Sequence, residues 1–151
     1  MNLFSSLVRY LDIRLSHALR KPPATLPILL LWVTDRCNLR CAMCGDQWRS
    51  ELKHNQPLLA LAEIEKIVVA AARLKTMVIS LTGGEPLLRP DIFQILEAIG
   101  QHGLAANICS NGTLLTPEKV TQLADSPLDS ISISIDHNQA ELHDRIRGKT
   151  G

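Results

Sequence analysis

Short apolar runs alternate with amphipathic segments through most of this chain, and that alternation leaves few folds open to it. Ile28 to Thr34, Met77 to Thr82, Leu104 to Ser110 and Ile131 to Ile135 read as four strands. Between the first two, Leu61, Ile64, Ile67, Val68, Ala71 and Leu74 recur at helical spacing. Ile92, Ile95, Leu96 and Ile99 do the same within Asp91 to Gly100. Thr116 is an N-cap residue followed by Pro117 at a first helical position, so a third helix starts there, and Pro127 lies beyond its end. The order β-α-β-α-β-α-β predicts a parallel sheet joined by right-handed crossovers.

Ahead of this unit, residues 3–20 form an amphipathic helix. Leu3, Leu7, Leu11, Leu15 and Leu19 fall at every fourth position with Arg9, Arg14 and Arg20 among them, and Pro22-Pro23 ends the element. Such a helix either covers the end or side of the following domain or lies on a membrane surface. The first is the expectation, with 1–24 as an N-terminal helix and 25–151 as the core domain.

A parallel strand buried on both faces is apolar throughout, and three of these strands are not. Ile131, Ile133 and Ile135 stand opposite Ser132, Ser134 and Asp136; Leu104, Ala106 and Ile108 stand opposite Asn107, Cys109 and Asn111. In the second strand Ser80 and Thr82 oppose Met77, Ile79 and Leu81. The apolar faces must meet the helices, so the polar faces are expected to line a cavity, which is the lumen if the sheet curves into a barrel. The first strand does not follow this pattern.

With 151 residues, 46% of them hydrophobic, the chain can bury one domain's core. A formal charge of +1, with two Phe, two Trp and one Tyr, gives no basis for nucleic-acid binding. The apolar run Ile28 to Val33 is far shorter than the ~20 residues that span a bilayer as a helix. Four cysteines, three of them crowded together, do not form a disulfide framework. A reducing cytoplasm, where thiols stay free to bind metal, is the expected setting.

The crowded cysteines lie in Cys37-Asn38-Leu39-Arg40-Cys41-Ala42-Met43-Cys44, directly after the first strand. Thiolates on one loop can converge on a metal ion or an iron–sulfur cluster. Three local ligands leave one iron of a four-iron cluster open to something else. The alternative is a structural zinc site with Cys109 or a His as fourth ligand; otherwise Cys109 reads as a small buried hydrophobe. Gly83-Gly84-Glu85-Pro86 closes the second strand, and two glycines there let the backbone approach a ligand closely or simply turn the strand into a helix. His17, His54, His102, His137 and His143 are scattered and take no catalytic assignment.

Cys37-x3-Cys41-x2-Cys44 after one strand and Thr82-Gly83-Gly84-Glu85-Pro86 after the next resemble the radical S-adenosylmethionine (radical SAM) superfamily. The branch it looks most like holds molybdenum-cofactor and peptide-maturase type enzymes. Asn111-Gly112, Ser134-x-Asp136 and His143-Asp144-Arg145-Ile146-Arg147-Gly148 match that branch in the same order, so the resemblance covers roughly 28–148. It implies a partial (β/α)6 TIM-like barrel with four of six βα units present. On that reading the chain is the N-terminal part of such an enzyme or a truncated product, with a fourth helix starting just past Arg147-Gly148.

The resemblance also implies a [4Fe–4S] cluster on Cys37, Cys41 and Cys44, with S-adenosylmethionine on the open iron. An electron passed through the cluster cleaves it to a 5′-deoxyadenosyl radical that abstracts hydrogen from substrate. Gly83 and Gly84 would hold the amino group, with Glu85 fixing the turn or helping to hold the ammonium. Ser134 and Arg147 would contact the carboxylate or ribose, and Asp136 and Asn111 the ribose. Many members have an aromatic residue before the third cysteine, where this chain has Met43. The implied partners are a low-potential donor of flavodoxin or ferredoxin type and an unknown substrate, a peptide or a small molecule. A non-catalytic cluster- or SAM-binding fragment is the competing reading, and a zinc-binding interaction module the third.

Overall fold

Four parallel strands form one sheet in the order β1 (Ile28–Thr34), β2 (Val78–Gly83), β3 (Ala105–Ser110) and β4 (Ser130–Ile133). The computed structural model describes residues 3–44 and 58–149. Helices α2 (Leu61–Arg73), α3 (Ile92–Gln101) and α4 (Pro117–Ala124) connect successive strands, α5 (Ala140–Arg147) follows β4, and α1 (Leu3–Ala18) precedes β1. Each strand thus carries a helix after it, the α/β arrangement that the alternation implies. Local signals work where they were strong. Thr116 Oγ1 accepts from Lys119 N at 3.2 Å ahead of Pro117, and Glu63 Oε2 accepts from Ala60 N at 2.8 Å to open α2.

The register explains which side chains share a face. Leu30 pairs with Ser80, Ser80 with Asn107, and Asn107 with Ser130. Side chains one residue along from this row point the other way. Leu31, Val33, Ile79, Leu81, Ala106 and Ile108 are buried there against Ile64 and Val68 of α2, Ile92, Ile95, Leu96 and Ile99 of α3, and Leu123 of α4. Each buried Leu, Ile or Val side chain contributes about 1.5–3 kcal/mol, so this face holds the sheet together. The first strand's departure now has a cause. Its alternate residues Ile28, Leu30 and Trp32 lie on the polar side of the sheet, where they remain 50–70% exposed.

Two expectations at the chain's ends need correction. The segment up to Arg147 is the end of a helix, not the approach to one: α5 runs from Ala140 and stops at Gly148, which adopts a left-handed φ of 69°. β4 also ends at Ile133, so Ile135 is exposed and only Ile131 packs on the core. At the other end, α1 does not cover the sheet with its leucines. It meets the rest of the chain through Arg9 Nη1, which donates to Thr76 O at 3.4 Å, and Asp12 Oδ2, which accepts from Thr25 N at 3.0 Å.

Candidate functional site

The carboxyl ends of β1, β2 and β3 and the end of α5 meet at the cysteine loop, and backbone contact does most of the joining. Pairing of β1 with β2 continues beyond both strands: Gly84 N donates to Thr34 O and Glu85 N to Arg36 O, each at 2.8 Å. A Cβ on Gly83 would collide with the Thr34 carbonyl oxygen, and one on Gly84 with that of Arg36. Gly83 also holds φ at 135°, closed to other residues. Both glycines are therefore needed to lay the glycine turn along the entry to the cysteine loop.

Glu85 is fully buried and acts as a hub. Its Oε1 accepts from Ser110 Oγ at 2.9 Å and Leu87 N at 3.1 Å, and its Oε2 accepts from Asn111 N at 2.8 Å. The carboxylate joins the end of β2 to that of β3, the turn-fixing role. Asn111 then reaches the cysteine loop, with Nδ2 donating to Asn38 Oδ1 at 2.9 Å and lying 3.9 Å from Cys37 Sγ. Asn38 Nδ2 in turn donates to Thr113 Oγ1 at 2.7 Å.

From the other side α5 closes on the loop. Ala42 N donates to Ile146 O at 2.7 Å, and Gly148 packs so tightly on the Arg40 carbonyl that a Cβ would overlap it. Arg147 Nη1 lies 3.8 Å from Cys41 Sγ. Its Nε forms an ion pair with Asp136 Oδ2, although the N–H is not aligned as a hydrogen bond. Arg147, Asp136, Asn111 and the three cysteines are thus brought together. Ser134 is exposed just past β4, tied in by its N–H to Ser110 O at 3.0 Å.

Among the thiols, Cys41 is buried, Cys37 half-buried and Cys44 exposed at the surface. Packing around its sulfur pushes the Cys44 thiol up, the neighbouring Cys41 and Cys37 push it further, and the Arg147 guanidinium draws it back. Among the described residues no three His, Cys, Asp or Glu side chains close on a single ion.

The open face of the sheet carries its own polar network. Asn107 Nδ2 donates to Ser80 Oγ at 2.9 Å, and its Oδ1 accepts from Ser130 Oγ at 3.0 Å and Ser132 Oγ at 3.3 Å. Cys109 belongs to it, 3.5 Å from both Ser80 Oγ and Asn107 Nδ2, so it is a half-buried member of the polar face rather than a small buried hydrophobe. His143 Nδ1 accepts from Asp136 N at 3.3 Å, while His54 lies outside the described residues.

Sequence reasoning passed over Arg89, buried beneath the site. It donates to Val33 O and Leu59 O, each at 2.6 Å, and pairs with Asp91, tying the end of β1 to the entries of α2 and α3. Nothing distinguishes it in sequence from a surface arginine. Asp35, between β1 and Cys37, was also missed; its Oδ1 is buried without a hydrogen-bond partner.

A parallel βα sheet with three thiols, a glycine turn and a guanidinium gathered at the carboxyl ends of its strands defines an α/β protein, with its candidate site at that rim. More specifically, the chain belongs to the radical SAM superfamily, whose model matches residues 32–151. It is 37% identical over 126 residues to the AdoMet-dependent heme synthase of Methanosarcina barkeri, covering 83% of this chain and 36% of that protein. It is 37% identical over 110 residues to the GTP 3′,8-cyclase of Clostridium perfringens, covering 72% of this chain and 34% of the relative. The chain thus spans about a third of the length of these curated relatives. Streptococcus suis SuiB, solved bound to S-adenosylmethionine, superposes with a TM-score of 0.73 at 20% identity over 92% of this chain and 32% of that one. That likeness shows the shared fold, a barrel type of which four βα units are present here.

Proposed function

We propose that this chain is the cofactor-binding part of a radical SAM enzyme, with Cys37, Cys41 and Cys44 holding a [4Fe–4S] cluster and S-adenosylmethionine lying beside it. The observation that carries the reading is the convergence of three thiols, the paired glycine turn and the end of α5 on one loop. The donor set fits: soft thiolates suit iron–sulfur ligation. When bound, the cluster and S-adenosylmethionine supply reductive sulfonium cleavage and hydrogen-atom abstraction.

The chain's own residues position and shield. The backbone at Gly83 and Gly84 offers close approach and carbonyl acceptors for an ammonium group, and Glu85 keeps that turn rigid. Arg147 presents forked donors suited to a carboxylate while steadying Cys41 and Asp136. Asp136, Asn111 and Ser134 supply polar contacts for a ribose. The polar network around Asn107 makes the open face a wettable cavity wall. We assign 1–24 to an N-terminal helix and 25–151 to the core, and a reducing compartment with a flavodoxin- or ferredoxin-type donor follows from the cluster. The substrate is a peptide or small molecule met on the open face.

The test is anaerobic reconstitution followed by S-adenosylmethionine and strong reductant. The wild-type chain forms 5′-deoxyadenosine and Cys41→Ala forms none. Tight S-adenosylmethionine binding to the cluster-loaded chain without any product would make it a binding module instead.

A further inference from the structure

The orientation of α1 is the reverse of what its pattern demands of a core helix. Arg9, Asp12, Ile13 and Ser16 form its half-buried side. Leu7, Val8, Leu11 and Leu15, continued by Leu19 just past the helix end, form an unbroken stripe that is 48–64% exposed. Polar groups anchor the helix, through Arg9 to Thr76 O and Asp12 to Thr25 N, and the leucines are displayed.

Charge says what the stripe fits. Residues 3–21 carry Arg9, Arg14, Arg20 and Lys21 against the single acid Asp12, whereas the whole chain balances 16 bases with 15 acids. Asp12 is turned inward to Thr25 N, and the charged side chains left exposed, Arg14, Arg20 and Lys21, are all cationic. A second copy of α1 would bring these cations together with no acid between them. An anionic lipid surface meets both demands, taking the leucines among its acyl chains and the cations among its headgroups. Tyr10, exposed beside Arg14's flank of the stripe, suits the boundary between them. No helix among the described residues is long and apolar enough to cross a membrane, so contact is with the surface.

We propose that α1 docks this chain onto an anionic bilayer surface through Leu7, Leu11, Leu15 and Leu19, steered by Arg14, Arg20 and Lys21. The proposal stands apart from the cluster chemistry and is tested without it. The intact chain is sedimented with sucrose-loaded vesicles of phosphatidylcholine, with and without phosphatidylglycerol, and the same is done for Leu11→Asp/Leu15→Asp and Arg14→Gln/Arg20→Gln/Lys21→Gln. Circular dichroism confirms that both variants, altered only at exposed positions, remain folded. The wild type partitions onto the anionic vesicles, roughly a hundredfold less when the two leucines become acids and about fivefold less per cation removed. Equal partitioning by all three proteins overturns the proposal. So does absence of vesicle binding, including the case of a dimer that the leucine variant abolishes.

Discussion

The two faces of the sheet divide the labour of this chain. On the helix-covered face Ile79, Leu81, Ala106 and Ile108 lose all contact with solvent, and side chains from three helices meet them. Across the strands, on the other face, a polar network runs from buried Ser80 through half-buried Asn107 and Cys109 to exposed Ser130 and Ser132, beside exposed Leu30 and Trp32. The same backbone serves both, because side chains alternate along a strand. One face makes the fold, and the other carries the polar network.

That contrast can be broken by substitution. Leu81→Ala on the covered face should cost about 2–5 kcal/mol, since the packed helices cannot fully collapse onto the gap; denaturant titration reads the loss, and a cost below ~1 kcal/mol would erase the distinction. A smaller effect comes from Asp91, which holds Arg89 under the site. Hydrogen bonding and charge from Arg89 keep its carboxyl below the ordinary value of about 4. Its contribution is therefore complete above that ordinary value and is lost as pH falls toward the lowered one. Asp91→Asn should lower stability near neutrality and flatten the acid limb of the stability–pH curve below about pH 4; an unchanged limb would remove the pair from the account. Smallest is Asn107→Ala on the open face, at about 1 kcal/mol or less, because water can replace its bonds to Ser130 and Ser132.

The fold was legible because strand runs and helical stripes alternate cleanly, and the polar sides of β2, β3 and β4 were expected to line a cavity. What escaped has physical reasons. α5 reads Ala-Glu-Leu-His-Asp-Arg-Ile-Arg and buries none of its residues, so no apolar stripe marks it. The leucines of α1 fix which side is apolar but not what meets it; its anchors are the backbone groups of Thr76 and Thr25, which carry no sequence signal. At the rim, the sequence offered Gly83 and Gly84 as points of close approach to a ligand or as a plain turn, and the approach that requires them in the structure is by the backbone at Thr34 and Arg36. Strand alternation put Cys109 on the polar side with Asn107, but a lone cysteine does not show whether its thiol is a buried hydrophobe or a member of the network with Ser80.

The central claim is that the loop after β1 holds a cubane by three sulfurs. Iron and acid-labile sulfide counted per chain after anaerobic reconstitution test it most directly. The account predicts about four of each, with the broad visible absorption of a [4Fe–4S] centre, and loss of both in Cys37→Ala, Cys41→Ala and Cys44→Ala. One tightly held zinc per chain, colourless and indifferent to added iron and sulfide, would contradict it.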